Sequence, residues 1–244
     1  MKPSPSPSIA VQRSQLADQF DLHSPIDAPT AYYALYHDPT RSSLWTANDG
    51  FVGRFQTGID LFRPLVTMRC RSAEVAADLL AEALTPGRPY VYFAALGQLS
   101  LVGGSLAISN ERILSIYVLD PSRFTPEMNV LVQSNTARDG TPRSEIVSGS
   151  PRESVAVAGV NWQSPGFAEL YVQVAPEARQ RGWGRSVIAA CTGRVLQSGR
   201  LPIYLVEPNN EASVKLATSV GYVDTGARQI MADAVYQGHP GRRL

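Results

Sequence analysis

Residues 168–198 read AELYVQVAPEARQRGWGRSVIAACTGRVLQS. Leu170, Tyr171, Val172 and Val174 make an apolar run that predicts a strand. Pro176 closes it, because proline has no N–H for a sheet ladder. Arg179, Arg181 and Arg185 follow, interleaved with Gly182 and Gly184. Val187, Cys191 and Val195 then stand at i, i+4 spacing beside Ile188, which predicts a helix. Gly199 falls where a left-handed C-cap ends such a helix. A strand, a glycine–arginine loop and a helix together aim bare backbone N–H groups and a positive dipole end at an anion. The anion has to be identified from the rest of the chain.

The 244 residues suffice for one large core or two small ones, and 44% hydrophobic with 18% charged residues marks a globular chain. The formal net charge of +1 gives no reason to expect nucleic acid as a partner. The charge is uneven: residues 151–244 carry 10 Lys/Arg against 7 Asp/Glu, so the half with the arginine loop is mildly basic. That suits a phosphorylated small ligand. Cys70 and Cys191 lie in apolar runs and read as buried free thiols of a reducing compartment. His23, His37 and His239 have no metal-ligand spacing, so neither a metal site nor a histidine-based triad is expected. The polar start MKPSPSPS has no apolar core of a signal peptide, and no window reaches the ~20 apolar residues of a membrane span. The expectation is a soluble, cytoplasmic protein with no membrane partner; oligomeric state is left open.

Along the chain, residues 1–8 alternate serine and proline as a tail, and 9–20 predict a short helix. Residues 31–36 (AYYALY) predict an aromatic helix. Ser42–Thr46 and Phe51–Phe55 predict a hairpin turning at Asn48-Asp49-Gly50. Leu65–Cys70 is a strand, Ser72 an N-cap, Ala73–Leu84 a helix, Tyr90–Ala94 a strand, and Ile113–Leu119 another. Residues 96–105 are ambiguous. Strands are expected at Met128–Gln133, Arg143–Ser148, Ser154–Trp162 and Phe167–Val174, with a polar loop at 135–142. After the arginine loop and its helix come strand Ile203–Val206, helix Asn210–Val220, and two strands at Tyr222–Ala227 and Gln229–Tyr236. The two halves repeat the order hairpin or meander, strand, helix, strand, helix, strand. The first copy has only Arg71-Ser72 where the second has its long arginine connection. One continuous mixed sheet without repetition is the alternative reading.

Gly182-x-Gly184 alone decides little. No Gly-Lys-Ser/Thr follows, which excludes a Walker loop, and Val187 stands where a dinucleotide fingerprint needs a small residue. Glu207 ends the next strand near the spacing of a ribose-binding acid, which keeps a nicotinamide-dependent oxidoreductase as a distant alternative. The antiparallel meander before the loop counts against it. Pro208-Asn209-Asn210-Glu211-Ala212-Ser213-Val214-Lys215-Leu216, running on to Gly221-Tyr222, adds a second motif. With it, the chain resembles the GNAT superfamily of acetyl-CoA-dependent N-acetyltransferases. That family's loop, Gln/Arg-x-x-Gly-x-Gly/Ala, is matched by Arg179 to Gly184. Its Asn-x-x-Ala/Ser-x-x-Leu…Gly-Phe/Tyr motif is matched by Asn210, Ser213, Leu216, Gly221 and Tyr222.

The resemblance implies an α/β (α+β) fold with a mixed, mostly antiparallel central sheet flanked by helices. It covers roughly residues 125–237. The division expected is a tail and short helix at 1–24, a degenerate acetyltransferase-like domain at 25–124, and an acetyl-CoA-binding catalytic domain at 125–238. It implies acetyl-CoA as co-substrate, no metal, and a small-molecule or peptide amine as acceptor. Val172 and Val174 would pair their backbone with the pantetheine arm. Arg179, Gln180, Arg181, Gly182, Trp183, Gly184 and Arg185 would hold the phosphates, and Asn210 and Ser213 would line the arm. Asn210 also reads as a plain helix N-cap. The implied reaction is direct attack of the amine on the thioester, with an N–H near Val172 binding the oxyanion and Glu169 as the base. Strict alternation places Glu169 with Tyr171 and Gln173, opposite Val172 and Val174, unless a bulge resets it. The family's acidic tyrosine falls on Ala217, for which Tyr222, Ser213 or water is the substitute. No pair of helices is found between the strands Met128–Gln133 and Arg143–Ser148, where the family's acceptor-site wall normally lies, so the wall would come from the N-terminal half, with the aromatic helix Tyr32–Tyr36 as its candidate. A non-catalytic CoA-binding sensor is the main alternative.

Overall fold

The computed structural model describes residues 8–58, 60–149 and 153–241; of the expected N-terminal tail, only Ser8 is among them. Two compact units are present, residues 1–114 with 228–244, and residues 115–227. Each has its own apolar core. The units divide inside the two long strands Leu106–Leu119 and Tyr222–Tyr236.

The first unit begins with α1 (Ile9–Ala17) and α2 (Ala28–Ala31). The aromatic run after α2 is a π-helical turn, Tyr32–Tyr36, and not part of an α-helix. Tyr33 packs against Phe55 and Phe93 at ring distances of 5.5 and 5.8 Å, within this unit. β1 (Ser42–Ala47) and β2 (Gly50–Phe55) form the expected hairpin, Ala47 pairing with Gly50. β3 (Leu65–Cys70), α3 (Ala73–Ala83) and β4 (Pro89–Ala95) follow, and the Ser72 side chain caps α3 by accepting from the Val75 N–H. The ambiguous segment is a 3₁₀ stretch, Leu96–Leu101. β3 and β4 are parallel but pair only at Leu65↔Val91 and Val66↔Tyr92. Beyond that point the Gln98 side chain accepts a hydrogen bond from the Cys70 N–H at 2.8 Å and Met68 is buried, while Tyr92, at the last pair, is buried too.

In the second unit, the second half of β5 (Leu106–Leu119) leads to an extended segment without regular structure at 124–132. The strand expected at Met128–Gln133 is therefore absent: β6 is Gln133–Thr136, taking two residues from the expected polar loop. Met128 and Leu131 are exposed and Val130 and Val132 are only partly buried against the core, which is a weak apolar face for holding a strand in register. β7 (Pro142–Ser148), β8 (Glu153–Gln163) and β9 (Phe167–Val174) make the antiparallel meander. α4 (Trp183–Gln197) crosses back to β10 (Leu201–Val206), which pairs parallel to β9 and antiparallel to β5. The unit's strand order is thus β5-β10-β9-β8-β7-β6, mixed but mostly antiparallel.

Left-handed Gly199 ends α4, and the Arg200 N–H closes onto the Val195 carbonyl at 3.3 Å. α5 (Glu211–Val220) precedes β11 (Tyr222–Tyr236). β11 is one strand where two were expected. Gly226, at φ +80, absorbs the irregularity inside it instead of ending it.

Candidate active site

β9 and β10 pair at Leu201↔Phe167, Pro202↔Ala168 and Ile203↔Glu169, and then part. β9 continues to Val174 and β10 to Val206 without each other as ladder partners. Parallel strands that separate leave backbone N–H and C=O groups facing the gap, and such groups demand partners. A cleft of about 520 Å³ opens in this unit, lined by Val172, Val174, Arg179, Gln180, Tyr204, Asn210, Ala212, Ser213 and Leu216.

The loop at the cleft mouth is built on two left-handed residues, Gln180 (φ +61) and Gly182 (φ +75), the second being the N-cap of α4. A Cβ on Gly182 would stand 2.7 Å from the Asn129 amide nitrogen. That amide donates to the Arg181 carbonyl at 3.0 Å, while its oxygen accepts from Ser186 Oγ at 2.7 Å. Asn129, which carried no motif in the sequence, therefore clamps the loop to α4. Gly184 is needed for a different reason: a Cβ there would meet Val174 at 3.2 Å and Leu216 at 3.6 Å. The first turn of α4 thereby sits directly against the cleft wall.

The three arginines do different things. Arg179 lines the cleft. Arg181 lies over the Trp183 ring, 5.1 Å from its centroid. Arg185 is turned to Glu127 (3.3 Å) and Thr125 Oγ1 (3.1 Å) and does not line the cleft. Asn210 caps α5, its side chain accepting from the Ser213 N–H at 3.1 Å, and still borders the cleft with Ser213.

Glu169 occupies the last paired position before the strands part. A bulge is present, but on β8: Val160 faces Leu170 and Trp162 faces Glu169, leaving Asn161 as the extra residue. β9 keeps its alternation. The bulge aims the Asn161 amide at the Glu169 carboxylate, 3.0 Å away. Burial of the carboxyl raises its pKa to about 7, against the lowering effect of hydrogen bonds from Asn161 and Trp162.

Tyr222 stands apart from the cleft. It is buried, its hydroxyl bonded to Thr192 on α4 at 2.8 Å, and desolvation pushes its pKa up. Alternation on β11 turns the ring into the core, a direction that a Gly-Tyr motif does not reveal. Tyr204, overlooked in the sequence, lines the cleft instead. Tyr222→Phe is accordingly expected to leave activity within about threefold while lowering stability by about 1–2 kcal/mol in a denaturant melt, since Thr192 loses its buried partner.

Residues 150–230 match the FR47-like protein family model. No curated protein matches the chain. Among solved structures, a tandem GNAT protein from the clavulanic acid biosynthesis pathway superposes with a TM-score of 0.62 at 12% identity, covering 95% of each chain. The GCN5-related N-acetyltransferase from Kribbella flavida gives 0.61 at 11%, covering 87% of this chain and 94% of that one. A Drosophila protein gives 0.67 at 14%, covering 94% and 96%. The chain shares the fold of these GNAT proteins. The parted strands, the loop and the α4 N-terminus lie in the segment that the family model matches. Among the described residues no group of three or more His, Cys, Asp or Glu is placed to hold a metal, and no helix is long and apolar enough to cross a membrane.

Proposed function

We propose that the second unit binds acetyl-CoA and transfers the acetyl group to an amine. The observation that carries this is the parting of β9 from β10 directly beside a loop with two left-handed residues and a helix N-terminus. An extended, amide-bearing arm fits between parted strands, where Val172 and Val174 supply the backbone partners. Its pyrophosphate fits the N–H groups of residues 180–185. Gly182 and Gly184 let the backbone approach closely, and Arg179 and Gln180 face the ligand.

The chain's own residues then divide the reaction. A backbone N–H near Val172 stabilises the developing oxyanion, and Glu169 takes the proton from the attacking amine. A C–N bond forms, the C–S bond breaks, and its electron pair leaves on sulfur. In place of two acceptor-site helices, the extended segment 124–132 carries the exposed Met128 and Leu131. The first unit is a degenerate copy: its parallel strands also part, but the Gln98 side chain takes a backbone N–H of β3 beyond the last pair.

The roles of the arginines separate in a binding experiment. Arg179→Ala is expected to weaken acetyl-CoA about tenfold by calorimetry, the size of one charge-assisted contact. Arg185→Ala should weaken it by less than about threefold, because that guanidinium is committed to Glu127 and Thr125. The reverse order would remove the loop geometry as the explanation. Free thiol release from acetyl-CoA across a panel of small amines and peptides tests the enzymatic reading. Turnover with at least one acceptor supports it, and tight binding with no turnover supports a sensor, to which buried Ala217 lends its missing hydroxyl.

A further inference from the structure

We propose that Tyr204 holds the leaving sulfur of coenzyme A by a hydrogen bond, doing from β10 what Ala217 cannot do from α5. This rests on the reading of the cleft as the acetyl-CoA site. Tyr204 is the first residue of β10 past the last pair, Ile203↔Glu169, so it stands at the point where the strands part. The arm of an acyl donor lying between those strands ends at that point, beside Glu169. Tyr204 borders the cleft with Val172 and Ser213. Its ring is steadied by Tyr222, with centroids 6.2 Å apart. Ala217, by contrast, is buried and carries no polar atom.

The titratable groups facing Tyr204 are Glu169 on β9, Tyr222 on β11 and its ladder partner Tyr117 on β5. Burial, with Glu169 as the lesser cause, raises the Tyr204 pKa. A thiol titrates near 8.5 and a phenol near 10, so full transfer of the phenolic proton to the thiolate runs uphill. The hydroxyl therefore stays protonated. As the C–S bond breaks, the electron pair goes to sulfur and the O–H of Tyr204 donates to it, after which the thiolate leaves and takes a proton from water. Ser213, which lines the same cleft, is the nearest side chain to help orient that hydroxyl.

The test needs no knowledge of the acceptor. Coenzyme A is bound to the full chain and its thiol is titrated by thiolate ultraviolet absorbance, with desulfo-coenzyme A as the blank. Cys70 and Cys191, buried and pushed up to about 12, stay silent below that pH. The wild-type bound thiol is expected to titrate about one unit, or tenfold in acidity, below that in Tyr204→Phe, with Kd within about threefold. Ser213→Ala should move it by part of that interval. Equal thiol pKa values in the wild type and Tyr204→Phe would overturn the assignment. If wild-type protein shows no calorimetric binding of coenzyme A, the cleft reading itself fails and takes this inference with it.

Discussion

Gly184→Asp is expected to weaken acetyl-CoA binding by about a hundredfold or more, the largest effect of any single change in the loop. A Cβ at this position already meets Val174 at 3.2 Å and Leu216 at 3.6 Å. The added carboxylate would be forced toward the first turn of α4, whose backbone N–H groups are the proposed donors to the phosphates. It would occupy those donors and repel the ligand's charge at once. A hundredfold corresponds to about 2.7 kcal/mol, in the range of losing a few charge-assisted bonds. Gly184→Ala should fall between the wild type and Asp, because it brings only the steric part. A Gly184→Asp protein that melts as the wild type does and binds within tenfold of it would contradict the phosphate cradle.

Glu169→Gln is expected to lower kcat by about 10²–10⁴, the usual contribution of a positioned general base. The wild-type rate should rise with pH through about 7, where the carboxyl ionises, and the variant should show no such step. The same shift predicts an opposite effect on stability. The folded protein holds this proton more tightly than the unfolded chain does, so its contribution is complete below pH 4.5 and is lost as pH rises through 7. Glutamine removes that dependence. The variant should therefore be slower yet, at neutral pH, more stable, by at most roughly 3 kcal/mol. Unchanged kcat in Glu169→Gln would return this residue to an ordinary strand-face glutamate.

The elements that could be read from sequence were those in which local chemistry and packing agree. Ser72 and Asn210 cap the helices they precede, and Asn48-Asp49 turns the hairpin. The β9–loop–α4 unit stands where its alternating valines, Pro176 and Gly199 place it. What stayed hidden depends on register between distant strands. Nothing in PIYLVE says that Tyr204 will stand one residue past the pair with Glu169. Nothing in PEMNV says that Asn129 will bond Arg181 and Ser186. Tyr222 misled for the same reason, since its motif fixes a position on β11 but not the face to which the ring turns. The break expected between Ala227 and Gln229 does not occur, because the left-handed Gly226 is carried inside one continuous strand. The three arginines looked alike in sequence because only tertiary neighbours such as Glu127 and Trp183 tell them apart.

Calorimetric titration of the full chain with acetyl-CoA tests the central claim most directly. One equivalent is expected to bind, to the parted strands of the second unit, because in the first the Gln98 side chain takes a backbone N–H of β3 beyond the last pair. The absence of any saturable heat from acetyl-CoA would contradict the account.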